Sequence, residues 1–323
     1  MICREWKGKG MKKHRGFLAA GWIAAVCFAA VGWAFVAAAQ DLTPTKTVIT
    51  VLPKDPEMPP TITPQDVKIK VNGKAVRTDS VMPLRGDRAG LELVILIDSG
   101  ARTSLGRELG ELTNFIQSLP PTTEVGIAYM MNGRAIFEQP FTADKARAAN
   151  ALHIPAGSAG SSASPYFCLS DLAKNWPSRN PNKRREVIAI TDGIDPYEVR
   201  FDPADPYAQA AIRDSIRAGV IVNALYWHNQ GIASRVGWAA TGGQNLLGMV
   251  TGDTGGRLYY QGLGNPVSFA PFLAEISKRL NNQYELGFSV PASVKPGIDS
   301  LKVKLEVPGV KLTAPNLVLV PAR

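Results

Sequence analysis

The sequence predicts an α/β fold: a doubly wound, mostly parallel sheet with helices on both faces, accompanied by a small β unit. Residues 91–97, 186–190 and 220–225 are nearly continuous apolar runs, which is the composition of strands buried on both faces. Stretches with helical spacing of apolar residues separate these runs along the chain. Strands that alternate with helices indicate parallel pairing.

The N-terminal segment predicts export. Residues 11–15 are basic, residues 16–36 are uncharged and rich in alanine, and three alanines precede Gln40. This is the pattern of a secretory signal peptide over residues 1–39. The alternative is an uncleaved membrane anchor, since an apolar run of this length could span a bilayer. We expect a bacterial protein that is periplasmic or secreted after cleavage.

Composition and charge argue against several classes of function. The formal charge is +9, but six basic residues and one acid precede Gly16, so a processed chain would carry +4. This charge is too weak and too scattered to indicate nucleic-acid binding. Of the three cysteines only Cys168 lies outside the leader, so the processed chain has no intramolecular disulfide. Three histidines do not favour a His-rich zinc site.

The segments on either side of the central region predict β structure. In residues 42–90, apolar side chains at three alternate positions flank lysines, and Asn72-Gly73 supplies a two-residue hairpin turn. Five prolines in residues 53–64 predict an extended linker. In residues 291–323, apolar and charged residues alternate again from Leu301 onwards. We expect the two ends to pair into one small β unit.

The central region, residues 91–290, contains further hairpin and helix signals. Asn132-Gly133 separates two strand-like runs and predicts a second hairpin. Helical spacing predicts one helix that Pro120 stops and another that ends the region. The apolar residues of these helices are Leu105, Leu109, Leu112, Ile116 and Leu119 in the first, and Phe269, Phe272, Leu273, Ile276 and Leu280 in the second.

Two acids stand directly after buried strands. Asp98 follows residues 93–97, and Asp192 follows residues 187–190 and Thr191. Because the carboxyl ends of parallel strands meet at one edge of a sheet, we expect both carboxylates to open onto that edge. Carboxylates and hydroxyls are ligands for a hard cation such as Mg²⁺. The alternative is that each Asp only caps the turn or helix that follows it.

Three motifs occur in a fixed order in the central region. They are Ile97-Asp98-Ser99-Gly100, Ser161-Ser162-Ala163-Ser164-Pro165 and Ile190-Thr191-Asp192-Gly193. In this order they resemble the von Willebrand factor type A (VWA) domain and, more narrowly, the secreted bacterial VWFA-related proteins. The resemblance covers about residues 91–290.

The resemblance implies a doubly wound fold with a metal-ion-dependent adhesion site at the top of the sheet. In such a site an Asp-x-Ser-x-Ser motif, a later Ser or Thr and a second Asp hold Mg²⁺ or Mn²⁺. A partner's carboxylate often completes the coordination. Carried over to this sequence, Asp98 and Asp192 match the two acids, and Ser164 or Ser162 matches the loop hydroxyl.

Two positions depart from the family's motif. Gly100 and Arg102 stand where the family has the two motif serines. Gly100 offers no side-chain ligand, and a guanidinium about 5 Å from a divalent ion would repel it by roughly 6–7 kcal/mol at an effective dielectric near 20. We therefore expect a degenerate site in which Arg102 partly stands in for the metal, as an internal cation paired with Asp98, Asp192 or both.

Loops at the same edge carry residue types that are enriched at binding hot spots. We expect this face to bind a protein partner or another envelope component. The alternative is that the aromatic side chains only support the core. The candidate binding residues are Ser99, Arg102, Tyr197, Arg200, Trp227, His228 and Arg235.

The function favoured by the sequence is binding without catalysis, by an adhesion or scaffold module outside the cytoplasm. One alternative is a metal-assisted hydrolase that uses Asp98, Asp192 and His228, although the sequence has no Gly-x-Ser-x-Gly motif. Another is a purely structural domain. A basic cluster, Arg179 with residues 183–185, precedes a buried strand, and we interpret it as a solvated loop.

Overall fold

The structure, a computed structural model, describes residues 42–54, 61–156, 163–180, 182–229, 237–291 and 294–322, and the backbone alone at residues 102–103. The predicted signal peptide, Ser162 and Arg235 lie outside the described residues, as does half of the proline-rich segment. All of the described residues belong to one unit, Leu42–Arg323.

Thirteen strands and six α-helices occur among the described residues. The strands are β1 (Leu42–Pro53), β2 (Val67–Val71), β3 (Lys74–Pro83), β4 (Leu91–Asp98), β5 (Thr123–Met131), β6 (Arg134–Thr142), β7 (Arg184–Thr191), β8 (Val220–Tyr226), β9 (Leu258–Tyr259), β10 (Gln283–Pro291), β11 (Gly297–Leu305), β12 (Val310–Thr313) and β13 (Leu317–Val320). The helices are α1 (Leu109–Ser118), α2 (Lys145–Asn150), α3 (Pro165–Lys174), α4 (Pro206–Ala218), α5 (Gly237–Thr254) and α6 (Ala270–Leu280). Short 3₁₀ helices span Pro64–Asp66, Gly86–Arg88 and Ser99–Arg107. Within this described part of the chain, no helix combines the length and the apolar character needed to cross a membrane.

Strands β4 to β9 form a six-stranded sheet in the order β6-β5-β4-β7-β8-β9. Its neighbouring strands are parallel, except that β6 runs antiparallel to β5. Counted from β4, the strand order is therefore 3-2-1-4-5-6. The chain builds outwards from β4 to β6 and then returns to β7 on the other side, so the order reverses between β4 and β7.

Helices cover both faces of this sheet. Successive side chains of a strand point to opposite faces. Ile95 and Ile97 of β4 pack in a core with α1, α2 and α6, whereas Val94 and Leu96 pack in a second core with α3, α4 and α5. Burial on both faces explains why β4 is continuously apolar from Leu93 to Ile97 instead of alternating.

Both hairpins predicted from Asn-Gly pairs are confirmed. One joins β2 to β3 and the other joins β5 to β6. Asn72 and Asn132 have φ angles of 52° and 50°, and Gly73 and Gly133 have 78° and 74°. Left-handed backbone at both central positions is what a two-residue turn of this type requires.

The helix predicted from Leu105 to Leu119 is α-helical only from Leu109 onwards. Ser99–Arg107 form a 3₁₀ helix, and α1 begins at Leu109. Two glycines, Gly100 and Gly106, lower the α-helical propensity of the Ser99–Arg107 segment. The pattern of apolar residues did not reveal this change because both helix types bury one face.

The second sheet has seven strands in the order β12-β1-β10-β3-β2-β11-β13, and its neighbouring strands are antiparallel. It combines strands from both ends of the described chain with β10, which the sequence placed mostly in the central region. Alternate residues of β10 are buried, as expected for a sheet that packs through one face. Helix α6 ends at Leu280 and β10 begins at Gln283, so the last helix leads directly into this sheet.

Candidate functional site

Asp98 and Asp192 follow neighbouring parallel strands at the carboxyl edge of the six-stranded sheet. Asp98 ends β4 and Asp192 follows β7, and the register places Ile97 opposite Ile190. Both acids therefore lie where the strand order reverses, which is the place where open α/β sheets bind ligands.

The carboxylate of Asp98 is held by three hydrogen-bond donors. The residue is 1% exposed. Its Oδ1 accepts from the Gly100 N–H at 2.8 Å, and its Oδ2 accepts from Thr191 Oγ1 at 2.6 Å and from Asn229 Nδ2 at 3.0 Å. Donors from three separate segments thus stabilise the negative charge and tie these segments to the end of β4.

Asp192 is buried within electrostatic range of Asp98. Its Oδ1 accepts a hydrogen bond from the Ile194 N–H at 3.0 Å. Burial, together with the negative charge of Asp98, raises the pKa of Asp192 from 3.8 to about 8. At neutral pH the Asp192 side chain is therefore mainly protonated.

Ser164 is bonded to a third acid, Asp195. The Ser164 hydroxyl donates to Asp195 Oδ2 at 2.8 Å and accepts from the Tyr166 N–H, which caps α3. The Tyr166 hydroxyl donates to the Gly193 carbonyl at 2.7 Å. Burial raises the pKa of Asp195. The role of Ser164 in this structure is to fasten α3 to the loop that follows β7.

The residues around Asp98 do not fit a divalent cation. The N–H groups of Gly100 and Asn229 point their hydrogens at the carboxylate that would have to hold the ion, and Ser164 points to Asp195. A Cβ at Gly100 would lie 2.9 Å from Asn229 Nδ2 and 3.2 Å from Asp98 Oδ1, so a serine there would have to displace the Asn229 amide. Within the described residues, no group of three or more His, Cys, Asp or Glu is placed to hold a metal.

Sequence reasoning missed Asn229 and Asp195 as members of this polar cluster. Asn229 lies three residues beyond the end of β8, at the same edge of the sheet as Asp98. That position after a parallel strand is the signal that could have identified it. Asp195 stands in a loop without periodicity, and nothing in the sequence pairs it with Ser164.

Two candidate binding residues, Trp227 and Ser99, are wrong as surface contacts because both are buried. Trp227 is 0% exposed, its Nε1 donates to Ser104 Oγ at 3.2 Å, and its ring packs edge-on against Phe269. Ser99 Oγ donates to the Met130 carbonyl at 2.6 Å. Both side chains hold the Ser99–Arg107 helix against the strands.

His228 is half-buried and bonded through its backbone to Asn265. Its ring Nδ1 is buried with no hydrogen-bond partner among the described residues, and burial lowers the pKa of the imidazole. The side chain of Arg102 lies outside the described part of the chain, so its pairing with Asp98 or Asp192 stays a prediction.

The loop that follows β7 exposes aromatic and basic side chains. Tyr197 is 62% exposed, and Trp238 at the start of α5 is 54% exposed. The guanidinium carbon of Arg200 lies 5.9 Å from the centroid of the Trp238 ring. Tyr197 contacts the rings of Phe167 and Tyr207, with centroid distances of 5.6 and 5.9 Å.

Two glycines of α5 allow this helix to pack directly on the backbone of the same loop. A Cβ at Gly243 would clash with the carbonyl oxygen of Asp192, and one at Gly242 would lie 3.2 Å from that of Val199. Gly193, in the loop, has a φ of 67°. The base of the loop is thus fixed by close backbone contact as well as by hydrogen bonds.

No family model and no curated protein matches the chain. Among solved structures, an aerotolerance-related membrane protein from Bacteroides fragilis is 16% identical, with a TM-score of 0.41, over 59% of this chain and 99% of that one. BatB, a conserved hypothetical protein from Bacteroides thetaiotaomicron, is 17% identical, with a TM-score of 0.43, over 59% and 97%. The SpRpn10 VWA domain is 10% identical, with a TM-score of 0.39, over 57% and 94%.

The sheet itself supports the resemblance that the three motifs suggest. Its strands are parallel apart from one antiparallel strand, helices cover both faces, and the motif acids Asp98 and Asp192 lie at the reversal of strand order. The central region therefore has an α/β, VWA-like fold.

Proposed function

We propose that the chain is a non-catalytic protein-binding module, an adhesion or scaffold protein of the bacterial envelope, built on a doubly wound VWA-type domain. The observation that carries this proposal is the aromatic surface, which we define as Tyr197, Arg200 and Trp238. These side chains are exposed on a loop and a helix end whose bases are buried.

The composition of the aromatic surface supports binding. Aromatic rings and guanidinium groups contribute much of the energy at protein interfaces, because they bury a large area with few rotatable bonds. Arg200 already lies against the ring of Trp238, so little conformational entropy is lost when a partner covers this pair. The Ser164–Asp195 and Tyr166–Gly193 hydrogen bonds hold the base of the loop in place.

In this proposal the edge works without a metal ion. Asp98 joins β4 to Thr191 and Asn229 instead of binding Mg²⁺ or Mn²⁺, and Arg102 supplies the internal positive charge. The fixed cluster then positions the aromatic surface. Arg200 offers a positive group to an acidic residue of the partner, in place of the ion that a VWA adhesion site would present.

The proposal includes a location outside the cytoplasm. The signal-peptide pattern over residues 1–39 supports a periplasmic or secreted protein, and an uncleaved leader would tether it to the membrane. The partner is then a protein or another component of the envelope, and nucleic acid is not expected.

Replacing Tyr197 and Trp238 by alanine tests the aromatic surface. We expect the double variant to capture its partner from an envelope fraction at least tenfold less efficiently, because interface energy is concentrated in such side chains. Capture is measured by cross-linking and quantitative mass spectrometry. The control Met82→Ala, which shortens an exposed side chain of β3, should leave capture unchanged. Unchanged capture by the double variant would refute the proposed surface.

Titration calorimetry with Mg²⁺ and Mn²⁺ tests the absence of a metal. We expect no binding at micromolar concentrations of either ion, and the same partner capture with and without a chelator. The triple variant Gly100→Ser, Arg102→Ser and Asn229→Ala restores the motif serines and removes the obstructing amide, so it should gain metal affinity. Micromolar affinity in the unaltered protein would show that the edge is a working metal site.

A further inference from the structure

A cleft of about 700 Å³ lies between the two sheets, far from Asp98. Its lining includes residues of β1 and β13 from the seven-stranded sheet, and residues at the start of β7 and the end of α4 from the central region. The length of β7 separates it from the Asp98 edge by about 20 Å. Its volume is that of a site for a small organic molecule.

The residues that line this cleft carry mainly positive charge. Seven of the lining residues are basic, and Glu285 is the one acidic residue among them. Four of the basic side chains have acidic neighbours, which reduce their field. These pairs are Lys46 with Glu285, Lys183 with Glu124, Arg185 with Glu92, and Arg217 with Asp214.

The other three basic residues, Arg88, Arg179 and Arg184, have no carboxylate within ion-pair distance among the described residues. Arg88 and Arg179 are exposed. Arg184 donates to the carbonyl oxygens of Leu84 and Leu280, at 3.3 and 3.2 Å. A carbonyl accepts a hydrogen bond but does not neutralise a guanidinium, whereas the carboxylate of Glu186 lies within electrostatic range of Arg184. The uncompensated positive charge of the cleft is therefore that of Arg88 and Arg179.

Much of the remaining lining is apolar. Half-buried side chains of Leu84, Ile216, Leu317 and Leu319 border the cleft. An inorganic anion would contact the arginines and leave this apolar surface exposed to water. A neutral apolar molecule would cover the surface and leave the arginines without a counter-charge. A molecule with an anionic head and a hydrocarbon body satisfies both parts of the lining.

We propose that the cleft binds one single-chain amphiphile, with its phosphate head on Arg88 and Arg179 and its hydrocarbon body along Ile216 and Leu317. A phosphate monoester suits guanidinium groups because it offers several oxygens to their planar forks. The ligand enters as a monomer from solution and not as part of a bilayer surface. This site does not depend on the aromatic surface or on the polar cluster at the other end of the sheet.

The proposal also revises the interpretation of the basic cluster. Residues 184–185 begin β7, and Arg179, Lys183, Arg184 and Arg185 all line the cleft, so the cluster is one wall of a cavity. The sequence alone indicates only a solvated loop for the basic cluster, because the opposite wall of the cleft comes from β1 and β13, which are distant along the chain.

Titration calorimetry of the purified protein with dodecyl phosphate, below its critical micelle concentration and at low salt, tests the ligand class. We expect one-to-one binding that is at least tenfold tighter than that of butyl phosphate and that weakens as sodium chloride is added. Tripolyphosphate that binds as tightly as dodecyl phosphate would overturn the need for a hydrocarbon body. Dodecyl maltoside that binds as tightly would overturn the need for a charged head, and no binding of dodecyl phosphate would overturn the site.

A charge-reversal variant tests the location. Arg88→Glu with Arg179→Glu should weaken dodecyl phosphate binding at least tenfold, because two attractive contacts become repulsive. Both residues are exposed, so circular dichroism should show an unchanged fold, and the milder pair Arg88→Ala with Arg179→Ala should weaken binding in the same direction. Arg213→Glu, an exposed position of α4 outside the lining, is the matched control and should stay within twofold. Equal affinity of the double variant and the control would overturn the location.

Vesicle flotation distinguishes a monomeric ligand from a membrane surface. Vesicles of phosphatidylcholine and phosphatidic acid present the same head group in a bilayer. We expect the protein to remain unbound to these vesicles while it binds dodecyl phosphate. Flotation with the vesicles in the absence of dodecyl phosphate binding would overturn the proposal.

Discussion

Asp192 stores a proton in the folded protein that the unfolded chain would release at neutral pH. Its pKa is about 8 in the fold, against 3.8 for an aspartate in water, because of burial and the charge of Asp98. Between these two values the folded state binds one more proton than the unfolded state, so raising the pH favours unfolding. The stabilising effect is complete below about pH 4 and is lost as the pH rises through about 8.

We expect Asp192→Asn to remove this dependence. The variant keeps an oxygen for the Ile194 N–H but has no proton to lose. Its unfolding free energy should therefore rise relative to that of the unaltered protein between pH 4 and 8, by up to about 1.4 kcal/mol per pH unit. Urea denaturation across this range measures the difference. Parallel curves for the two proteins would contradict the raised pKa.

At the scale of single residues, the sequence identifies the two acids of the site more readily than the residues that form hydrogen bonds with them. Asp98 and Asp192 could be selected because each follows an uninterrupted apolar strand, whose carboxyl end is fixed by the topology. The position of Asn229 after β8 places it at the same edge, but its hydrogen bond to Asp98 depends on the path of a loop that only the tertiary structure shows. Trp227 was misjudged for a related reason: composition shows that a residue suits an interface but not whether packing buries it.

At the scale of elements, strands and tight turns were predictable and close contacts were not. The Asn-Gly turns and the buried runs of β4, β7 and β8 carry local signals of two to eight residues. The packing of α5 on the Asp192 loop depends on Gly242 and Gly243, which the sequence alone marks only as weak helix formers. The sequence pattern does not assign β10 to the seven-stranded sheet, because its partners β1 and β3 are distant along the chain.

Two glycines of the same helix, α5, should respond in opposite directions to alanine. At Gly243 a Cβ would meet the Asp192 carbonyl, so Gly243→Ala should lower the unfolding free energy by about 2 kcal/mol or more. At Gly248 a Cβ has nothing within 4 Å, so Gly248→Ala should raise it by about 1 kcal/mol through helix propensity. Urea denaturation of both variants checks this. Similar changes for the two variants would show that α5 is not held by backbone contact.

At the scale of the whole molecule, buried polar groups connect the two sheets. Gln283 of β10 donates through Nε2 to Glu186 of β7. Arg279 of α6 donates to Thr313 of β12 at 3.2 Å, which ties this helix of the central region to the seven-stranded sheet. Glu186 also accepts from Asn223 Nδ2 at 2.9 Å, and burial raises its pKa. Buried groups of this kind are costly to separate, so the two sheets are expected to unfold together.

We expect one calorimetric unfolding transition for the described unit, with equal calorimetric and van't Hoff enthalpies. Gln283→Leu leaves Glu186 with one donor fewer and should lower the unfolding free energy by about 1–3 kcal/mol. Gln117→Leu, an exposed position of α1, is the control and should change it by less than about 0.5 kcal/mol. Two separate transitions in the unaltered protein would contradict the coupling of the sheets.

The position of β1 has a consequence for synthesis. Its two neighbours are β10 and β12, and the Lys46–Glu285 contact across β1 and β10 joins residues 239 apart in the chain. A nascent polypeptide therefore carries β1 with both edges open while every described helix of the central region is still being made. Long-range pairing of this kind is slow and leaves a strand available to other chains. Such a polypeptide would benefit from a holding chaperone until β10 and β12 have been synthesised.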